Sequence, residues 1–108
     1  MSELVEKLCR GEHAVEFSAR PARTVAALKE SLDRGYVLVK FVNTRGSTEL
    51  GVTVDRDQTD IAAADFDQQK GQITIVGGLT LDYVPVRCVA NIDLSSLEGR
   101  GHLEQVAS

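Results

Sequence analysis

The stretch QITIVGGLTLDYVPVRCVANIDL, residues 72–94, decides the fold. Apolar and polar residues alternate along most of it, which is typical of β-strands with one buried face. Gly77 and Gly78 can both take positive φ angles, so we predict a two-residue hairpin turn there, after a strand over 72–76. The apolar residues predicted to face inward are odd-numbered up to Leu81 and even-numbered from Val84 onward. This change falls between Tyr83 and Val84, next to Pro85, and predicts a bulge or bend in one long second strand.

Further segments with a period of two extend this sheet. We predict strands at about 13–18, 36–43 and 47–55, and another alternating segment over 95–106. In the last segment Gly99 and Gly101 share one face, which predicts that another part of the chain packs closely against it. Residues 60–70 fit either a short helix or an edge strand.

The clearest helical pattern is PARTVAALKESLDRG, residues 21–35. Thr24 is a suitable capping residue, Val25, Leu28 and Leu32 form one apolar stripe, and Gly35 is placed to end the helix. Residues 2–9 predict a short N-terminal helix. The sequence therefore predicts a single α+β domain over residues 1–108. It would consist of a curved antiparallel sheet of about five to seven strands, with the main helix (about 21–34) packed on it.

Length and composition are those of an ordinary globular domain. The 108 residues are 43% apolar and 26% charged, which is enough for one hydrophobic core without a disulfide or metal. Cys9 and Cys88 are isolated cysteines, and the charged N-terminus has no apolar signal region, so we expect a cytoplasmic protein. No apolar run approaches the roughly 18 residues of a membrane-spanning helix.

The charge distribution argues against a nucleic-acid partner. The net charge is −4, with eight Lys and Arg against seven Asp and Glu in residues 1–54, and four against nine in residues 55–108. Aromatic residues make up 5% of the chain and there is no Trp. The sequence thus lacks both a basic surface for phosphates and aromatic platforms for bases.

One loop resembles a phosphate-binding P-loop. In NTRGSTELGVT, residues 43–53, Val52 occupies the position of the P-loop lysine and Glu49 would repel a phosphate. The residues after the second glycine have the period of a strand, whereas a P-loop is followed by a helix. We therefore interpret the segment as a hairpin, with Gly46 in a left-handed conformation and Arg45 at the exposed tip.

The sequence contains no recognisable catalytic or metal-binding motif. His13 and His102 have glutamates nearby, but the pattern supplies too few ligands for a metal site, so neither a metal nor a cofactor is predicted. If the protein is a small enzyme, Asp82, Arg87 and His102 are the candidates for acid–base chemistry. Arg20, Arg23 and Arg45 are the candidates for binding an anion, the first two because they lie near the start of the main helix.

The most suggestive surface is the polar face of the strand near Pro85. The residues predicted to share it are Tyr83, Pro85, Arg87, Val89 and Asn91. Tyr and Arg are favoured in protein interfaces. We therefore expect a non-catalytic accessory or interaction module that self-associates through a sheet edge or face, as a symmetric dimer. The alternative is a small-molecule-binding protein or small enzyme, with a pocket between the helix and the concave face of the sheet.

Overall fold

A computed structural model describes residues 3–18, 24–42, 44, 47–62, 64–81 and 83–106. Within these residues six strands and two helices follow one another along the chain. They are α1 (Glu3–Leu8), β1 (His13–Ser18), α2 (Val25–Arg34), β2 (Tyr36–Phe41), β3 (Thr48–Val54), β4 (Gln72–Leu81), β5 (Val84–Asp93) and β6 (Glu98–Gln105). All strand pairs are antiparallel.

The sheet closes into a barrel, whereas the sequence predicted a curved sheet. Each strand pairs with the next along the chain, and β1 also pairs with β6, from His13 opposite Gly101 to Glu16 opposite Glu98. Closure depends on this contact between the first and last strands, which no local pattern encodes. The prediction of an antiparallel α+β domain is otherwise confirmed.

Alternating side chains fill the barrel interior. Along β5 the inward residues Val86, Cys88, Ala90 and Ile92 are at most 1% exposed, and the residues between them face outward. Burial raises the pKa of the Cys88 thiol to about 12, so this cysteine is an unreactive core residue.

The main helix begins and ends where its capping residues allow. The Thr24 hydroxyl accepts a hydrogen bond from the Ala27 N–H at 3.0 Å, and Gly35 ends the helix with a φ of 82°. Leu28 and Leu32 are buried in the core, as the apolar stripe predicted. Residues 21–23, the first part of the predicted helix, lie outside the described residues.

The shorter helix packs against the barrel where β1 begins and β2 ends. Val5 and Leu8 are fully buried, and the ring of His13 lies edge-on to Phe41, with the ring centroids 6.3 Å apart. The Nε2 atom of His13 is 2.9 Å from the Lys7 carbonyl oxygen, so His13 helps to attach the end of α1 to the barrel.

Two predictions for residues 72–94 are wrong, and one explanation accounts for both. Gly77 and Gly78 lie inside β4, and the chain reverses instead between Leu81 and Val84, which are paired neighbours. A two-residue turn pairs residue i with residue i+3, so the inward-facing residues change from odd-numbered to even-numbered across it, as they would at a bulge. The change seen in the sequence therefore marks the hairpin. Gly77 is needed for a different reason, because a Cβ atom at this position would collide with the carbonyl oxygen of Thr53. The glycine thus allows β3 and β4 to approach each other.

The described residues of the segment 60–70, which are 60–62 and 64–70, form neither of the two predicted elements. They include turns and isolated pairings of Asp60 with Thr74 and of Asp65 with Lys70. The hairpin predicted from the P-loop-like segment is confirmed by the pairing of β2 with β3. Its predicted tip residues, Arg45 and Gly46, lie outside the described residues, and Ser47 adopts a left-handed φ of 62°.

Candidate interaction surface

The β4–β5 hairpin continues beyond the ladders that join it to the strands beside it. Its pairing runs to Leu81 opposite Val84, whereas β3 pairs with β4 at only two positions, Thr53 with Gly78 and Val54 with Gly77. On the other side, the ladder of β6 with β5 ends at Val86. We call residues 79–81 and 83–85 the hairpin tip. One further hydrogen bond, from the Val106 N–H to the Pro85 carbonyl oxygen, holds its β5 side.

Tyr83 is the most conspicuous residue of the hairpin tip. It is 99% exposed and has a left-handed φ of 67°. That conformation is uncommon for a bulky residue and costs about 1 kcal/mol or more. A fully exposed aromatic ring gains nothing from burial within its own chain. The left-handed φ serves the tight turn between Leu81 and Val84, which requires positive φ angles, whereas the exposed ring adds nothing to the stability of the isolated fold.

The other predicted interaction residues lie together on the outside of the barrel. Pro85, Arg87 and Asn91 are exposed on the outer face of β5, and Val89 is half-buried between them. The sequence placed Tyr83 on this face as well, but it lies in the turn at the end of it. Thr74 donates a hydrogen bond from its hydroxyl to the Asn91 side-chain oxygen at 2.6 Å.

The adjacent strand adds a network of charged groups. An Nη atom of Arg87 is 3.7 Å from one carboxylate oxygen of Glu104, and Nε2 of His102 is 3.0 Å from the other. Arg87 and Glu104 are register partners, and so are Val89 and His102. Exposed pairs of this kind stabilise a fold by about 0–1 kcal/mol, so their use as contact groups would cost the protein little.

The weak catalytic candidates are therefore only partly brought together. Arg87 and His102 meet through Glu104, on the convex outer surface of the barrel. Asp82 lies outside the described residues, as do the anion-binding candidates Arg20, Arg23 and Arg45. Alternation along the strand places Glu104 on one face with His102, and the structure adds the contact of Glu104 with Arg87, which the sequence pattern does not show.

Grooves flank α2, and its inner face is packed into the core. One groove of about 320 Å³ lies at its N-terminal end, between Val25 and residues 94–97. Another of about 220 Å³ lies near its C-terminal end and includes Leu32, Val54 and Ile61. A pocket between the helix and the sheet, the alternative predicted from the sequence, would have to use such flanking grooves.

The turn from β5 to β6 is fixed by a side chain at the rim of the first groove. Ser95 donates to the Asp93 carboxylate from its hydroxyl at 2.6 Å and from its backbone N–H at 2.8 Å. These two hydrogen bonds lower the pKa of Asp93, with the hydroxyl having the larger effect. The carboxylate acts here as the acceptor that closes the turn.

Comparison with known proteins gives no functional assignment. No family model matches the sequence, and no curated protein matches it at a significant level. Among the described residues, no group of three or more His, Cys, Asp and Glu side chains is placed to hold a metal ion. No helix in the described part of the chain is long and apolar enough to cross a membrane.

Proposed function

We propose that this protein is a non-catalytic interaction module that self-associates as a symmetric dimer. Its contact surface would be the hairpin tip together with the outer face of β5. The proposal depends above all on Tyr83, which is fully exposed, with a left-handed φ, in the turn of the β4–β5 hairpin. A large aromatic side chain at a turn position that favours Gly or Asn, with its ring fully exposed, is a reason to look for a function, and aromatic residues are common anchors of interfaces.

The charges beside this surface support a second copy as the partner. Arg87 and Glu104 lie next to each other and have opposite signs. Around a two-fold axis near this pair, Arg87 of each copy would face Glu104 of the other. A surface that carries both charges side by side is therefore self-complementary, which a symmetric interface requires.

Replacing the two anchoring residues tests the proposal. We expect Tyr83→Ala/Arg87→Ala to weaken the dimer by about 100-fold or more, since anchor residues typically contribute about 2 kcal/mol each. Light scattering over a concentration series measures this change. The matched control is Ile61→Ala/Arg34→Ala, which removes an exposed large apolar side chain and an exposed arginine near the C-terminal end of α2 and not at the hairpin tip.

Two results would contradict the proposal. One is a wild-type protein that stays monomeric up to millimolar concentration. The other is a dimer that both double variants weaken equally, because the Tyr83 surface would then have no special role.

The groove at the N-terminal end of α2 supports the alternative function, a small-molecule-binding protein. Its volume of about 320 Å³ falls within the range of ligand sites, and the hydroxyls of Ser95 and Ser96 supply polar groups. A thermal-shift screen against a metabolite library tests this alternative. A ligand that raises the melting temperature of the wild type, and of a variant with Ser96→Ala to a smaller extent, would favour it.

A further inference from the structure

Among the described strands, the ladder between β3 and β4 is the shortest and leaves an incomplete seam in the barrel. Pairing there covers only Thr53 with Gly78 and Val54 with Gly77, although β3 extends back to Thr48 and β4 extends on to Leu81. We call the unpaired parts of the two strands, residues 48–52 and 79–81, the seam segments. The interior remains closed by side chains, since Leu50 and Val52 are buried. What the seam lacks is the backbone ladder.

The hydrogen bonds nearby show which backbone groups face the seam. The Val54 N–H donates to the Gly35 carbonyl oxygen, at the start of β2, and the Asp55 N–H donates to Val76 of β4. Because backbone groups alternate in direction along a strand, the odd-numbered residues Glu49 and Gly51 direct theirs towards β4.

The same reasoning applies to the hairpin tip. The Pro85 carbonyl oxygen accepts from the Val106 N–H, so the backbone of Pro85 faces β6. Thr80 is the partner of Pro85 in the ladder. In an antiparallel ladder, the backbone N–H and carbonyl groups of two opposite residues either hydrogen-bond to each other or point away from each other, towards the strands on the outer sides of the pair. The N–H and carbonyl of Thr80 therefore face β3.

The two seam segments match each other in register. If the pairing of Thr53 with Gly78 continued along both strands, Gly51 would lie opposite Thr80 and Leu50 opposite Leu81. The inward positions on both sides are apolar, and residues 79–81 bring no charge against Glu49. Neither segment contains the lysine or proline that commonly protects an exposed strand edge. Each chain thus carries both halves of a ladder that one copy does not form.

We propose that two copies complete this ladder reciprocally, with the hairpin tip of each copy paired to β3 of the other. Thr80 would then pair with the partner's Gly51. The partner is a second copy, because the chain that carries each exposed seam segment also carries the segment complementary to it. The reciprocal pairing of two copies closes around a two-fold axis. This inference depends on the proposed self-association and specifies its geometry. It also brings Tyr83, at the end of the tip, into contact with the partner.

Disulfide trapping tests the exchange directly. In a Cys9→Ser background, Leu50→Cys and Leu81→Cys are prepared as separate proteins, mixed and oxidised. The two positions face each other in a non-hydrogen-bonded pair of the completed ladder, at a separation of about 5 Å that suits a disulfide. We expect a disulfide-linked dimer in the mixture and not in either protein alone. Leu50→Cys mixed with Ile61→Cys is the control and should remain unlinked.

The possible results separate this inference from the proposed function. If light scattering shows a dimer but the mixture forms no linked species, the exchange is wrong while self-association stands. The double variant Leu50→Cys/Leu81→Cys is equally informative, because a disulfide within one chain would show that the seam closes internally. A wild-type monomer would overturn both proposals.

A backbone change provides a second test that introduces no cysteine. Thr80→Pro removes an N–H that faces the seam and leaves the pairing with β5 intact. We expect it to raise the dimer dissociation constant by about tenfold, because a symmetric dimer loses two hydrogen bonds. Thr80→Ala keeps the N–H and should leave the dissociation constant within about twofold. Circular dichroism verifies that both variants are folded, and an unchanged constant for Thr80→Pro would contradict the exchange.

Discussion

At the residue scale, the adjacent glycines Gly77 and Gly78 have different roles. A Cβ atom at Gly77 would collide with the carbonyl oxygen of Thr53, across the short ladder that joins β3 to β4. At Gly78 the nearest atom to such a Cβ is the Val86 carbonyl oxygen, 4.0 Å away. Neither glycine has a positive φ. The close approach of β3 and β4, and not turn geometry, therefore explains why residue 77 is a glycine.

This difference predicts opposite effects of the same substitution at neighbouring positions. Gly77→Ala should lower the free energy of unfolding by about 2 kcal/mol or more, because the added methyl group forces β3 and β4 apart. Gly78→Ala should be neutral or stabilise by up to about 1 kcal/mol, because it lowers the entropy of the unfolded chain. Urea denaturation measures both values. Equal losses at the two positions would contradict the close-approach explanation.

At the element scale, α2 shows that a short helix can be specified by its ends. Its ten residues are too few for stability in isolation, so capping and burial of its apolar stripe must hold it. Thr24 begins the helix with a side-chain hydrogen bond, and Gly35 ends it by donating its N–H to the carbonyls of Ser31 and Leu32.

The cap gives a quantitative prediction. Thr24→Ala removes the acceptor for the Ala27 N–H and should lower the free energy of unfolding by about 1 kcal/mol. Thr24→Ser keeps a hydroxyl acceptor and should retain most of that stability. Chemical denaturation followed by circular dichroism compares the two variants. Equal stability of the two would mean that the hydroxyl does not cap the helix.

At the scale of the whole molecule, barrel closure separates an inside from an outside along every strand. Leu103 of β6 is fully buried, whereas Val42, just beyond β2, is 39% exposed. Gly101 and Gly99, on the same inward face as Leu103, allow the backbone of β5 to come close, since a Cβ on either would meet carbonyl oxygens of β5. The close packing predicted from these two glycines is thereby confirmed, and its partner is β5.

Truncating an inward-facing side chain should therefore lower the free energy of unfolding far more than truncating an outward-facing one. Leu103→Ala should cost about 2–5 kcal/mol in unfolding free energy, because it leaves a cavity in the barrel. Val42→Ala should change it by less than about 0.5 kcal/mol. Thermal and urea unfolding of both variants provide the comparison. A small loss for Leu103→Ala would show that the interior can rearrange around the missing side chain.

The sequence alone determined most of the local structure. The caps of α2, the strand periods and the pairing of β2 with β3 depend on neighbouring residues, and the side-chain pattern reports these directly. It also determined which residues of β5 face outward, including Arg87 and Asn91, because alternation along a strand is local. The side chains of the interaction surface, including Glu104 beside His102, could be approached in this way, but the contact of Glu104 with Arg87 and the seam segments could not.

Only the tertiary structure decided how the strands come together. Pairing of β1 with β6 closes the barrel across more than 80 residues of chain, as for His13 and Gly101. The role of Gly77 and the end of the ladder between β3 and β4 depend on strands that are distant in sequence. A sequence shows which residues can form a strand, but inter-strand hydrogen bonds are formed by backbone atoms that every residue shares. The choice of neighbour, and the place where a ladder stops, are therefore set by the packing of the whole chain.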